Sequence, residues 1–316
     1  MTTLVRFAPA LGEWIQQHLS AGRTAHELLE TMQEKMSPEA ARAIVDGFVN
    51  ARAAGTLAPI DCVTLLAPTG APLPEAIAEY RYGTSRLRQG GSIATTDRVV
   101  RVSSRLERPV LAVLNDVFSG AECADLIEMA RRRLTPSTIV DPKTGCDVVT
   151  GLRTSHGMFF RPMENAFIAR LDQRLAEIMN FPVEHGEGLQ VLRYAEGASS
   201  APHFDFLVPS NPANQTSIAR SGQRMSTLVT YLNDVPAGGE TIFPEAGWSV
   251  SPHRGSAVYF EYCNSDGQLD HASLHGGQKV RQGEKWVATK WMRARPFVPA
   301  PPILPRGATD LRTLSK

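Results

Sequence analysis

After Pro182 the chain is written in short β-rich runs, and this texture confines it to a small set of folds. Leu189-Gln-Val-Leu-Arg-Tyr, Met225-Ser-Thr-Leu-Val-Thr-Tyr-Leu, Ser256-Ala-Val-Tyr-Phe and Lys285-Trp-Val-Ala-Thr-Lys-Trp are rich in β-branched and aromatic residues, which suit a pleated, half-buried surface. Turn signals separate them: Pro236-Ala-Gly-Gly, Pro252-His-Arg-Gly and Gln282-Gly. Several short strands at even spacing are covered by closing on one another as a sandwich or a small barrel. Glycine (25) and proline (22) together make about 15% of the chain, above the roughly 12% of average usage, as turn-rich β architecture requires.

Upstream the periodicity is helical. Leu11, Trp14, Ile15 and Leu19 share one helix face, and Leu28, Leu29, Met32 and Met36 another. Ser37-Pro38-Glu39 opens a third helix with a cap, a proline at the first helical position and an early carboxylate; Ala41, Ile44, Val45 and Phe48 form its apolar stripe. Residues 1–54 are therefore expected to form a small helical domain. Gly55, Pro59, Pro68, Gly70, Pro72, Pro74, Gly83 and Gly90 then break the pattern, so 55–98 reads as a linker or cover. Residues 99–295 form the β-rich domain, with helices predicted near 119–131 and 165–179. The proline-rich stretch 296–316 reads as an extended tail.

Composition excludes several function classes. Lys+Arg 33 against Asp+Glu 32 leaves a formal charge of +1, without the basic footprint of a nucleic-acid binder. No run approaches the roughly 18 apolar residues of a membrane span. The opening MTTLVRFAPALGEWIQQHL lacks the cationic and apolar regions of a signal peptide, so none is expected. Cys62, Cys123, Cys146 and Cys263 are scattered and form no C-x-x-C pair, which reads as free thiols in a reducing cytoplasm.

His203-Phe204-Asp205 is the first feature that carries chemistry. On a strand, residues two apart share a face, so the imidazole and the carboxylate point together and Phe204 points away. A second, distant histidine would complete a 2-His-1-carboxylate triad, which leaves positions open on an octahedral iron. His253, His271 and His275 are all candidates, and side-chain chemistry alone does not choose among them.

The ordered motifs Leu189–Tyr194, His203-Phe-Asp205-Phe, Arg224–Asp234, Gly238-Gly-Glu-Thr241-Ile-Phe-Pro244, Ser273-Leu-His275-Gly and Gly283-Glu-Lys285–Trp291 resemble the catalytic domain of prolyl 4-hydroxylases. These are iron(II)- and 2-oxoglutarate-dependent dioxygenases. The resemblance spans about 108 to 294. It implies an α+β fold: a double-stranded β-helix (jelly-roll) core with flanking helices, here preceded by the small helical domain. It also implies His203, Asp205 and His275 as iron ligands, because the family places a lysine ten residues after the distal histidine, where Lys285 stands. By the same resemblance Lys285 pairs with the distal carboxylate of 2-oxoglutarate, helped by the hydroxyls of Tyr194 and Thr241. A dicarboxylate deep in a barrel needs such charge compensation. Ascorbate is the reductant commonly used in this family.

Arg224 and Trp291 match family positions near the substrate. One position departs from the pattern: three residues before the first ligand the family usually has a tyrosine, and this chain has Ser200. That change is expected to open the pocket beside the metal and to shift specificity away from simple poly-proline peptides. Residues 141–155 fall where the family has a loop over the substrate, and 209–223 is a polar insertion next to the metal strand. The resulting expectation is a hydroxylase of an unactivated carbon in a peptide, protein or amino-acid-type substrate. The alternatives are a hydroxylase of a free amino acid or other small molecule, and a non-catalytic jelly-roll binding module.

Overall fold

The computed structural model describes residues 2–7, 9–33, 36–54, 59, 62–66, 80–137, 139–140, 147–148, 154–209 and 212–300. Strand Lys285–Arg293 is buried along its whole length, and its alternation defines the layers around it. Trp286, Ala288 and Met292 join a core shared with the helices, while Val287, on the other face, joins a core between two sheets. Its polar residues Lys285, Thr289, Lys290 and Arg293 are buried along with the apolar ones.

The larger sheet has nine strands in the order Ser92–Ala94, Val99–Glu107, Val110–Asn115, Ala257–Glu261, Arg224–Tyr231, Lys285–Arg293, Leu189–Tyr194, His156–Phe160 and Thr135–Pro136. The smaller has four: Ser200–His203, His275–Gly277, Thr241–Phe243 and Trp248–Val250. Pairing is antiparallel throughout. Leu192, Tyr231, Val258 and Phe260 of the large sheet pack with Phe243 and Val250 of the small one. This is the expected jelly-roll core.

Two helices cover the outer face of the large sheet. Gly120–Arg131 starts at a capping box in which Ser119 and Glu122 satisfy each other's backbone N–H groups. Ala166–Met179 starts at Asn165, whose side chain accepts from Ile168 N–H, and buries Ile168, Leu171, Leu175 and Ile178. Three ion pairs lock this layer. Arg174 reaches Asp97 (2.6 Å) and Glu122 (2.7 Å), and Lys290 reaches Asp172 at 2.8 Å with both side chains almost wholly buried.

The described residues between 2 and 66 gather around a separate core that includes Ile15, Leu28, Ile44, Val45 and Phe48. The helices run Pro9–Ser20, Ala25–Gln33 and Pro38–Ala54. Strand pairing extends this unit beyond the expected 1–54: Thr2–Arg6 lies antiparallel to Cys62–Leu66, inside the stretch read as linker. Gly47 permits the fit, since a Cβ there would stand 2.7 Å from Val63 Cγ1. Within that same stretch, residues 81–86 act as a cover, bonding to Gln268, Asp270 and Glu261.

The 209–223 insertion contains a helix, Pro212–Ser221, that polar composition had concealed. Tertiary contacts hold it: Arg293 and Arg295 donate to the carbonyls of Ser217, Ile218 and Ala219 near its C-terminal end, where cations are favoured. Most of 141–155 and most of the tail lie outside the described residues, as does Cys146. Cys123 and Cys263 are buried free thiols. No helix among the described residues is long and apolar enough to cross a membrane.

Candidate active site

Register brings the two halves of the metal constellation together. His203 pairs directly with His275 across the small sheet, and their ring centroids are 4.5 Å apart. Asp205 follows two residues after His203. His203 Nε2 lies 3.7 Å from Asp205 Oδ1, and His275 Nε2 lies 3.6 Å from Oδ2. The three ligand atoms all fall within 4.8 Å of one another. Each ring donates its Nδ1–H to a backbone carbonyl, His203 to Ala201 at 2.9 Å and His275 to Ser273 at 3.0 Å. That hydrogen bond fixes the tautomer and turns both Nε2 atoms toward the Asp205 carboxylate, where a cation can be held.

Asp205 is itself oriented. Thr227 Oγ1 donates to its Oδ2 at 2.7 Å and lies 3.0 Å from the Tyr262 hydroxyl. Arg224 donates to its backbone carbonyl at 3.2 Å. Burial on its own would raise the Asp205 carboxyl, but His275, His203, Arg224 and Thr227 outweigh it and hold the group down at about 2. A carboxylate between two imidazole nitrogens suits a divalent transition metal, with one side left open by the partly exposed His203.

The other candidate histidines lie elsewhere. His253 is a surface residue 2.9 Å from Asp234. His271 packs edge-on against Phe204 (5.2 Å) and Phe206 (5.5 Å), so it braces the back of the ligand strand. Phe204 points away from the metal side, as its position between the two ligands requires, and stacks on Phe206.

Lys285 enters the same interior from the large sheet and is only 4% exposed. Its Nζ lies 3.5 Å from Thr241 Oγ1 and faces the rings of Tyr194 (5.6 Å) and Tyr231 (5.5 Å). The Tyr231 hydroxyl donates to Thr241 Oγ1 at 2.8 Å. Burial pulls the Lys285 ammonium down to about 8, partly opposed by the charge of Glu240. A buried ammonium with this little compensation is a receptor for an anion.

Arg224 and Trp291 meet at the other end of the interior. The guanidinium stacks 4.2 Å over the indole and forks onto Glu187 at 2.6 and 2.8 Å. Arg293 binds the same carboxylate at 3.0 Å. Phe159, 51% exposed, stands 6.4 Å from Trp291 and continues this wall outward. Trp291 Nε1 and Gln190 Oε1 are buried with no hydrogen-bond partner among the described residues. Ser200 is buried on the strand opposite Gly277.

The structure thus gathers His203, Asp205, His275, Lys285, Tyr194, Thr241, Arg224, Trp291 and Ser200 around one interior, leaves His253 and His271 outside it, and adds Glu187, Gln190, Thr227, Tyr231 and Tyr262, with Phe159 at the rim. Period-2 alternation would have put Thr227, Tyr231 and Gln190 on an inward face. No local signal marks Glu187 or Phe159.

A 2-His-1-carboxylate cluster inside a jelly roll, with a buried lysine beyond it, defines a class: mononuclear metal oxygenases that take an anionic co-substrate. The family model of the 2OG-Fe(II) oxygenase superfamily matches residues 189–293. Prolyl 4-hydroxylase 1 of Arabidopsis thaliana is 42% identical over 202 residues, covering 59% of this chain and 70% of that protein. Probable prolyl 4-hydroxylase 10 of the same plant is 35% identical over 229 residues, covering 66% and 77%. Among solved structures, the 2OG complex of the viral collagen prolyl hydroxylase from Paramecium Bursaria Chlorella virus-1 aligns with TM-score 0.46 at 27% identity, over 58% of this chain and 96% of that one. The chain belongs to the 2OG-Fe(II) oxygenase superfamily and, within it, to the prolyl 4-hydroxylase-like enzymes. It is a 2-oxoglutarate-dependent dioxygenase.

Proposed function

We propose that the enzyme hydroxylates prolyl residues in a peptide or protein, with His203, Asp205 and His275 holding iron(II). The observation that carries this reading is the His-Asp-His cluster, with both Nδ1 atoms tied to backbone, in the same interior as Lys285. Lys285, Thr241 and Tyr194 hold the distal carboxylate of 2-oxoglutarate, and Tyr231 orients the Thr241 hydroxyl. When bound, iron and 2-oxoglutarate activate dioxygen; one oxygen atom goes to succinate, formed with carbon dioxide, and the other into a substrate C–H bond. Ascorbate serves to keep the iron reduced. The chain's own residues fix the ligand tautomers, orient Asp205 through Thr227 and line the approach with the Arg224–Trp291–Phe159 wall. A stacked cation and two aromatic faces suit an extended peptide, whose prolyl ring packs on an aromatic surface.

The test supplies iron(II), 2-oxoglutarate and ascorbate with proline-containing peptides and, separately, with free amino acids. The expected result is a gain of one oxygen on a prolyl residue in step with succinate. Hydroxylation of free amino acids alone would move the enzyme to the small-molecule alternative. Absence of succinate under all conditions would leave only a binding module.

A further inference from the structure

Ser200, Gly277 and Thr241 form one register row across the small sheet: Ser200 pairs with Gly277 on one side, and Thr241 pairs with Gly277 on the other. Antiparallel partners show their side chains on the same face. That face looks at Lys285, because Thr241 Oγ1 lies 3.5 Å from its Nζ. The middle of the row is open. A Cβ built on Gly277 would stand 3.6 Å from Ser200 Cβ and 3.9 Å from Lys285 Nζ. Glycine therefore leaves a gap with the Ser200 side chain beside it and the lysine across it. Ser200 is 8% exposed, so its side chain lies within this interior beside the gap.

We propose that Ser200 is a co-substrate contact: its hydroxyl donates to the distal carboxylate of 2-oxoglutarate in the gap left by Gly277. This rests on the reading of Lys285 as the carboxylate anchor. Thr241 already accepts from Tyr231, so its own proton is free for the same carboxylate. Lys285, Thr241, Tyr194 and Ser200 then supply four donors to a group with about four acceptor positions. A serine hydroxyl ends within the gap, while the hydroxyl of a tyrosine at this position would end well beyond it. The departure at Ser200 is thus an adaptation of the co-substrate end rather than an enlargement of the prime-substrate pocket.

The experiment is calorimetric titration of the iron(II)-loaded full chain without oxygen, using 2-oxoglutarate and, separately, 2-oxobutyrate, which lacks the distal carboxylate. Ser200→Ala should weaken 2-oxoglutarate binding about tenfold, as expected for a lost hydrogen bond to a charged group. Ser200→Thr, which keeps the hydroxyl, should stay within about twofold. 2-Oxobutyrate should bind all three proteins alike. Wild-type affinity for 2-oxoglutarate in Ser200→Ala, or an equal loss for 2-oxobutyrate, would overturn the proposal. Lys285→Ala separates the two levels. If it weakens 2-oxoglutarate while Ser200→Ala does not, only the serine is wrong; if it has no effect, the anchor reading fails and the proposal falls with it.

Discussion

Replacing Lys285 by methionine should make the ligand-free protein more stable and its grip on 2-oxoglutarate weaker. The side chain is buried, with Thr241 Oγ1 at 3.5 Å as its hydrogen-bond acceptor and two tyrosine faces beside it. Burial lowers its ammonium from 10.5 to about 8. The difference corresponds to about 3 kcal/mol at about 1.4 kcal/mol per factor of ten. The unfolded chain holds this proton up to about pH 10.5, and the folded chain releases it near pH 8. Between those values the unfolded state binds more protons, so stability rises with pH; below about pH 8 the whole penalty is present. Methionine fills similar volume without a charge. Urea unfolding of the metal-free protein should therefore show Lys285→Met more stable by up to about 3 kcal/mol at pH 7, with the gap closing toward pH 10. Binding runs the other way: removing a buried cation opposite a carboxylate costs about 2–5 kcal/mol, roughly 30- to several-thousand-fold in affinity. Wild-type affinity should also fall as pH rises above about 8, because binding then has to take up a proton. A variant that is less stable at pH 7, or that binds 2-oxoglutarate normally, would refute this account of Lys285.

Other substitutions test the neighbouring groups. His203→Ala, Asp205→Ala and His275→Ala should each abolish iron retention, measured by metal content after desalting, along with succinate formation. His271→Ala should keep the metal but lose its two edge-on contacts with Phe204 and Phe206, about 1–2 kcal/mol, read as a Tm a few degrees lower. Gly277→Ala puts a methyl group into the gap between Ser200 and Lys285; metal content should be unchanged and 2-oxoglutarate affinity should drop at least about tenfold. Arg224→Ala leaves the buried Glu187 with Arg293 as its remaining cationic partner and should cost about 3–5 kcal/mol in denaturant unfolding, with a raised KM for the peptide.

Much of this protein is legible in local sequence. The strands from Leu189 to Arg293 announce themselves by β-branched and aromatic runs between turns, and the helix starts at Ser119 and Asn165 by their caps. His203 and Asp205 are readable as a pair from their spacing of two, although the strand expected to carry both ends at His203, and Asp205 lies in the bend beyond it. What local sequence left open was every question of partner and register. His271 and His275 are four residues apart and chemically identical; pairing of His203 with His275 across the small sheet makes one a metal-facing ligand and turns the other back onto Phe204. Glu187 gains meaning only when Arg224 and Arg293 converge on it from strands far along the chain. Thr2–Arg6 pairs with Cys62–Leu66 across the three helices, a contact beyond the reach of helical periodicity. Ser200 looks like a missing aromatic wall in sequence, and its register with Gly277 turns it toward Lys285. Short-range patterns report backbone preference and which face a residue shows. The choice between two faces, and of what stands opposite, is made by strand pairing and core packing, which act between segments that no local window contains together.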